Sequence, residues 1–323
     1  MMRRVITRAF ANIALCKYWG KKSDKDNLPA TPSISMALEE LRTETEVVRL
    51  NKPPHRIKVN SKRTDPVSEA RVFEYLEYWK NEKLISGFYS IDTKNHFPTK
   101  AGLASSSSGF AALAQALSAF SKHKISKAEL SRLARIGSGS AARSVTGGLS
   151  GLPVGRNPAA KLIMKPEDIP WGMVICTVDA KAKKVPSRQG MQLSRDKSPY
   201  FNAWVIRARK DYKLMLDAIT RLDFSSIGRI CEENALAMHA CMIATRPSLI
   251  YWNDVTVRLV NAVRRWREEG LENYCTIDAG PHVVILAKIP ELKKIAARAR
   301  RIKGVIAAKK SLTSGGASIV ECV

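Results

Sequence analysis

The 323-residue chain predicts an α+β protein in two parts, dividing near residue 185. Three observations lead there. Strand-like alternation recurs through the first half, three long helical runs follow from Tyr200, and strand signals return from residue 273. The length allows one large or two medium domains with real cores.

In chain order, residues 3–21 begin as an apolar strand and end in a cluster that mixes Asn12, Lys17, Tyr18, Trp19 and Lys21. A polar, turn-rich loop leads to a second strand. TETEVVRL and HRIKVN then alternate as a hairpin, with a turn at residues 60–63. Residues 66–81 place Val72, Phe73, Tyr75, Leu76, Tyr78 and Trp79 largely on one helical face, which assigns this aromatic stripe to the core. After a strand at 84–95, the stretch NHFPTKAGLASSSSG feeds a helix reaching about His123. The next helix starts at Ser126, with Glu129 three residues on in capping-box spacing, and runs into GSGSAARSVTGGLSG. A strand at 171–180 and a loop at 181–200 precede the helical span, in which Pro247 separates the last two helices. Residues 273–288 read strand, turn, strand. A basic helix, an apolar strand and a closing strand complete the chain.

Composition bounds the function. With 45% apolar residues, 18 Gly and 15 Pro the chain is an ordinary globular one. Cys16, Cys176, Cys231, Cys241, Cys275 and Cys322 contain no CxxC pair and read as buried thiols in a reducing compartment. Neither an 18-residue apolar segment nor a signal-peptide pattern stands out, so the expected location is cytoplasmic, with no membrane partner. The net charge of +25, with basic clusters at 181–184 and 293–304, invites a polyanion. Only 7% of residues are aromatic and no nucleic-acid motif is present, so a solvated basic surface that attracts anionic metabolites is preferred to nucleic-acid binding.

Several residues point to phosphate chemistry. A loop feeding a helix N-terminus, as at 95–109, offers unpaired N–H groups and a partial positive charge to an anion. It lacks GxxxxGK[ST] spacing, so a serine-capped helix after an ordinary turn is the alternative. Lys17 and Lys21 flank an aromatic pair, either holding a charged group or pointing to water. Arg143 sits among small residues, where a guanidinium needs an anionic ligand or an internal Asp or Glu. Asp278 lies in a tight DAGP turn. One carboxylate among many cations is what phosphoryl transfer to an anionic alcohol needs.

The segments NIALCKYWGK, FPTKAGLASSSSG, GSGSAARS, ENALAMHACM and TIDAGPH closely resemble the diphosphomevalonate decarboxylase family of the GHMP kinase superfamily, in order and over nearly the whole chain. The resemblance implies a two-domain fold, residues 1–185 binding ATP and 186–323 forming the second domain, with the active site in the cleft between them. It implies a carboxy-lyase that uses ATP and Mg²⁺ to convert mevalonate 5-diphosphate to isopentenyl diphosphate, ADP, phosphate and CO₂. In this numbering Asp278 would take or orient the 3-hydroxyl proton. Arg143, helped by Asn12, would hold the substrate carboxylate, and Lys17 would face the transferring phosphate. Tyr18, Lys21, Ser138, Gly139 and Ser140 would grip the diphosphate, with Ser187 and Arg188 approaching from the second domain. Pro98, Gly102, Leu103, Ala104, Ser105, Ser106 and Ser107 would surround the ATP phosphates. The resemblance suggests a homodimer and assigns no metal ligand. His239 matches a family position but reads as a structural helix residue.

The chain departs from the family pattern at Lys100, at Ser107 and Ser108, at His282 after DAGP, and at residues 149–152. Sister enzymes that accept the monophosphate, or that only phosphorylate mevalonate, are the near alternatives, and a nucleic-acid-binding relative is the remote one.

Overall fold

The computed structural model describes residues 2–323 apart from 24–25, 98–104 and 179–184. The first part runs β1 (Arg4–Cys16), β2 (Lys21–Ser23), β3 (Leu28–Pro29), β4 (Ser33–Leu50), β5 (Arg56–Val59), β6 (Lys62–Arg63), α1 (Pro66–Asn81), β7 (Phe88–Asn95), α2 (Ser105–Phe120), α3 (Lys127–Gly137), α4 (Ala141–Thr146), β8 (Leu149–Leu152) and β9 (Lys161–Met164). There follow β10 (Trp171–Thr177), α5 (Ser187–Lys197), α6 (Phe201–Thr220), α7 (Phe224–Ile243), α8 (Asp254–Glu268), β11 (Asn273–Ile277), β12 (Val283–Lys288), α9 (Leu292–Arg300), β13 (Ala307–Ser311) and β14 (Ser318–Cys322).

The long strands β1 and β4 pair antiparallel at the centre of an eight-stranded sheet of order β14-β1-β4-β7-β5-β6, with β8 on β4 and β9 on β8. The first half of β1 alternates, sending Val5 and Ala9 into a core with α2 and α3. From Ala11 the strand is buried on both faces because α6 and α7 cover the other side, where Ile13 and Leu15 meet Met215, Ile219 and Ile227. A strand buried on both faces reads as a continuous apolar run. This double cover carries the end of β1, and Lys17 after it, into the interior.

The second sheet, β11-β12-β10-β13, is antiparallel. One face packs on α8 and α9 through Val174, Leu259, Val263, Ile285 and Ile295. Its other face gives Trp171, Met173, Tyr274 and Leu286 to the core that also holds Ile13 and Ile34, so the two parts share one apolar seam.

Four expectations change. TETEVVRL does not pair with HRIKVN: β7 takes the edge of β4 over Thr43↔Asn95 to Leu50↔Phe88, and β5 lies parallel on the far side of β7. Pro53 and Pro54 follow β4 and donate no N–H to a tight return, whereas β7 matches it over eight residues. The local hairpin is β5–β6, turning through Asn60 and Ser61, both in the left-handed region. Residues 187–197, expected in a loop, form α5, whose Gly190 lies so close to Trp19 and Tyr251 that a Cβ would fall 2.6 Å from the Tyr251 hydroxyl. Residues 249–252 are not helical; α8 starts after Asn253, which makes a reciprocal capping box with Thr256. Finally, the sheets do not divide at residue 185, because β10 belongs to the second sheet and β14 returns to pair with β1.

The aromatic stripe of α1 is core, with Tyr75, Leu76 and Trp79 buried. Five cysteines are buried thiols and Cys322, on β14, is exposed. Among the described residues no helix is long and apolar enough to cross a membrane. Lys293, Lys294, Arg300 and Arg301 are solvated around α9, while residues 181–184 lie outside the described residues.

Candidate active site

A cavity of about 270 Å³ lies where the end of β1, the 138–140 turn before α4, the start of α5 and the β11–β12 turn converge. It is lined by Asn12, Lys17, Tyr18, Lys21, Ser138, Gly139, Ser140, Arg143, Ser187, Arg188 and Asp278, all named from the sequence.

Lys17 does not point to water. It is 1% exposed and its Nζ donates to Asp278 Oδ1 at 2.5 Å, while Asp278 keeps 26% exposure on the cavity side. The main chain of the DAGP turn is fixed by Gly280, whose N–H donates to the Asp278 carbonyl at 2.7 Å.

Arg143 is fully buried, and among the described residues none of its side-chain hydrogen bonds goes to a carboxylate. Its Nε donates to Ser35 Oγ at 2.7 Å and its terminal nitrogens to Ser33 Oγ at 2.5 Å and Asn12 Oδ1 at 3.4 Å. Burial pushes the guanidinium down to about 10, so it stays charged at neutral pH. The Asn12 amide donates in turn to the Ser140 carbonyl at 3.0 Å and Ser144 Oγ at 2.7 Å, which ties β1 to α4. Tyr18 donates to the Asn27 carbonyl at 3.0 Å, and its ring faces Arg143 at 6.0 Å. A Cβ at residue 139 would fall 2.3 Å from the Tyr18 oxygen, so a larger residue there would displace the Tyr18 ring.

The two Gly/Ser stretches meet. Ser106 Oγ at the start of α2 lies 3.3 Å from Ser138 Oγ, itself 3.3 Å from Ser140 Oγ. Ser106 also opens onto a second cavity of about 610 Å³ walled by β5, β6, β7, α1 and α2, with Ile57, Val59, Ile91, Val72, Phe110 and Leu113 on its apolar side. Ser105 lines that cavity. Ser107, expected beside the same phosphates, is fully buried and lines neither cavity. Helical periodicity is the reason: Ser105, Ser106, Gly109, Phe110 and Leu113 share the open face, and Ser107 and Ser108 turn inward, where Ser108 meets Thr43 Oγ1 at 2.6 Å. Pro98, Lys100, Gly102, Leu103 and Ala104 lie outside the described residues.

Sequence reasoning missed the second cavity and Arg71, which lines both. Arg71 sits on α1 one turn before Tyr75, donates to the Gly137 carbonyl at 2.6 Å and lies over the Phe110 ring at 4.6 Å. Burial, then the neighbouring Arg188, lowers it to about 10. A cation in line with an apolar stripe was the available signal.

His239 is buried against Trp252, its Nε2 3.3 Å from the Ile277 carbonyl, and burial lowers it to about 3. It lines neither cavity and is neutral at physiological pH. His282 Nδ1 accepts the Val178 N–H at 3.2 Å, tying the end of β10 to the DAGP turn. Among the described residues no three His, Cys, Asp or Glu cluster to cage a metal.

A two-part α+β fold whose shared cleft holds one lysine-paired carboxylate among buried cations and facing hydroxyls, next to a second pocket with one apolar side, belongs to the class of phosphoryl-transfer enzymes. Comparison with known proteins makes the class specific. Residues 9–162 match the diphosphomevalonate decarboxylase-like N-terminal domain and residues 173–317 the mevalonate 5-diphosphate decarboxylase C-terminal domain. The chain therefore belongs to the diphosphomevalonate decarboxylase family. It is 33% identical to the diphosphomevalonate decarboxylase of Ganoderma lucidum, over 88% of this chain and 78% of that one. The mevalonate diphosphate decarboxylase of Staphylococcus aureus superposes with a TM-score of 0.93 at 33% identity, covering 99% of both chains. MDDEF in complex with MVAPP, AMPPCP and magnesium superposes with a TM-score of 0.93 at 30% identity, over 99% of this chain and 100% of that one.

Proposed function

We propose that this chain catalyses the ATP-dependent decarboxylation of mevalonate 5-diphosphate to isopentenyl diphosphate, releasing ADP, phosphate and CO₂. The observation that carries it is the Lys17–Asp278 pair in one cavity with buried Arg143, joined by Ser106 to a second pocket of nucleotide size with one apolar side.

In this reading Arg143 binds the substrate carboxylate, presented by Ser33, Ser35 and Asn12. Tyr18, Lys21 and the Ser138–Ser140 turn hold the diphosphate, with Ser187 and Arg188 closing over it. The nucleotide base enters the pocket between α1 and α2, which puts its phosphates across Arg71, Ser105 and Ser106. Asp278 takes the 3-hydroxyl proton as that oxygen bonds the γ-phosphorus and ADP departs. Lys17 offsets charge on the transferring phosphoryl group. The C3–O bond then breaks with phosphate leaving, and the C–CO₂ electron pair forms the new double bond at the carbon that bore oxygen. Arg143, gripped by neutral hydroxyls rather than a carboxylate, orients the acid and lets CO₂ leave.

Mg²⁺ fits this donor set: it keeps several waters and is held by substrate phosphates with one or two protein oxygens, so no protein cage is needed. The Ser106 and Ser138 hydroxyls would hold it, and it would supply charge neutralisation at the phosphates. We further assign a homodimer, expected at twice 35.8 kDa by light scattering, and a cytoplasmic location, where the six free thiols stay reduced.

The test is phosphate and CO₂ release with ATP and Mg²⁺ on mevalonate 5-diphosphate, the 5-monophosphate and mevalonate. Both products from the diphosphate alone support the proposal. ADP without CO₂ indicates a kinase, and preference for the monophosphate indicates the sister decarboxylase.

A further inference from the structure

Lys17 and Asp278 come from opposite halves of the fold, one after β1 and the other after β11. Their contact depends on how the end of β1 is held against the second part. The Lys17 N–H lies just past the last residue of β1 and donates at 2.7 Å to Oδ1 of Asn234, on α7. Asn234 is fully buried, and its other end fixes which way the amide faces. Its Nδ2 donates at 2.9 Å to Oδ2 of Asp211, on α6, and an ionised carboxylate only accepts. Asp211 is 2% exposed and held at 2.7 Å by Nε of Arg207, which also reaches Glu233 at 2.8 Å near the surface. A carboxylate buried this deeply is costly unless paired, and Asp211 does not line the cleft.

We infer that Asn234 and Asp211 are positioning residues for Lys17. Asp211 orients the Asn234 amide, and Asn234 clamps the Lys17 main chain so that its ammonium meets Asp278 across the seam. The inference rests on the role given to Lys17 above.

Two leucine variants, which keep the branching at Cγ but remove every polar atom, and one conservative variant test it in the full-length protein. Asn234→Leu is expected to lower kcat about 10- to 100-fold, with KM for ATP and for mevalonate 5-diphosphate held within about three-fold, because the substrate contacts remain and the reacting geometry does not. Asp211→Leu loses kcat in the same pattern. Asp211→Asn, which keeps an acceptor facing the Asn234 amide, recovers at least about five-fold over Asp211→Leu. Hydrogen exchange at the Lys17 amide reads the clamp without turnover and is expected at least about ten-fold faster in both leucine variants. Should Asn234→Leu fail to fold, the Asp211 pair carries the same comparison. Folded leucine variants with native kcat and native Lys17 exchange overturn the inference. A wild-type protein that turns over no substrate overturns the proposed function instead, and the exchange measurement still decides the clamp.

Discussion

Arg143 carries a charge that water hardly reaches, held by two serine hydroxyls and one amide oxygen. Such a charge is a standing cost to the free protein and is relieved when an anion arrives. Arg143→Gln is therefore expected to leave the thermal midpoint of the free protein unchanged or higher. It should also remove most of the upward shift that mevalonate 5-diphosphate gives the wild type; an undiminished shift contradicts the assignment. His239 makes a prediction in pH. Its folded value, about 3, lies below the ordinary histidine value, so the unfolded state binds the proton first and stability falls as pH drops from about 6.5. His239→Gln should flatten that part of the stability curve measured by denaturant titration. The type and spacing of Asn12, Lys17, Arg143 and Asp278 were readable in the chain. What holds them was not, because Ser33, Ser35 and Asn234 are ordinary residues until folding sets the two serines 2.5 and 2.7 Å from the Arg143 guanidinium and Asn234 2.7 Å from the Lys17 main-chain N–H.

At the level of elements, α1 and α2 enclose the proposed nucleotide pocket, and Arg71 stands at its junction with the cleft. Arg71→Met should raise KM for ATP about ten-fold and KM for mevalonate 5-diphosphate much less, consistent with loss of a charge-assisted contact. Equal effects on both would move Arg71 out of the nucleotide site. Periodicity made most helices legible, and capping made their starts so: Ser126 Oγ accepts the Glu129 N–H at 3.2 Å, as its spacing implied. Pairing partners were less legible. The alternation in TETEVVRL is real, but alternation states which face is buried and not which strand lies alongside. The start of α5 carried only Met191 and Leu193 as apolar markers, and its Gly190, a helix breaker in isolation, is what allows close packing on Trp19.

Across the whole molecule, β14 completes the first sheet from the far end of the chain, where Arg4 bridges Glu46 and, at 2.7 Å, Glu321. No local signal assigns a C-terminal strand to an N-terminal sheet. The charge of +25 lies partly on the outer face of α9 and acts on the molecule as self-repulsion. Raising NaCl from about 0.05 to about 0.5 M, which shortens the screening length, should raise the thermal midpoint; a fall would mean that attractive ion pairs dominate. Whether the cleft that both halves build around Lys17 and Asp278 carries the chemistry is decided by the stoichiometry of CO₂ to phosphate released from mevalonate 5-diphosphate with ATP, in wild type and Asp278→Ala. One CO₂ per phosphate is expected in the wild type, with loss of both together, by at least about a hundred-fold, in the variant. Release of either product at the wild-type rate by Asp278→Ala would contradict that role of the cleft.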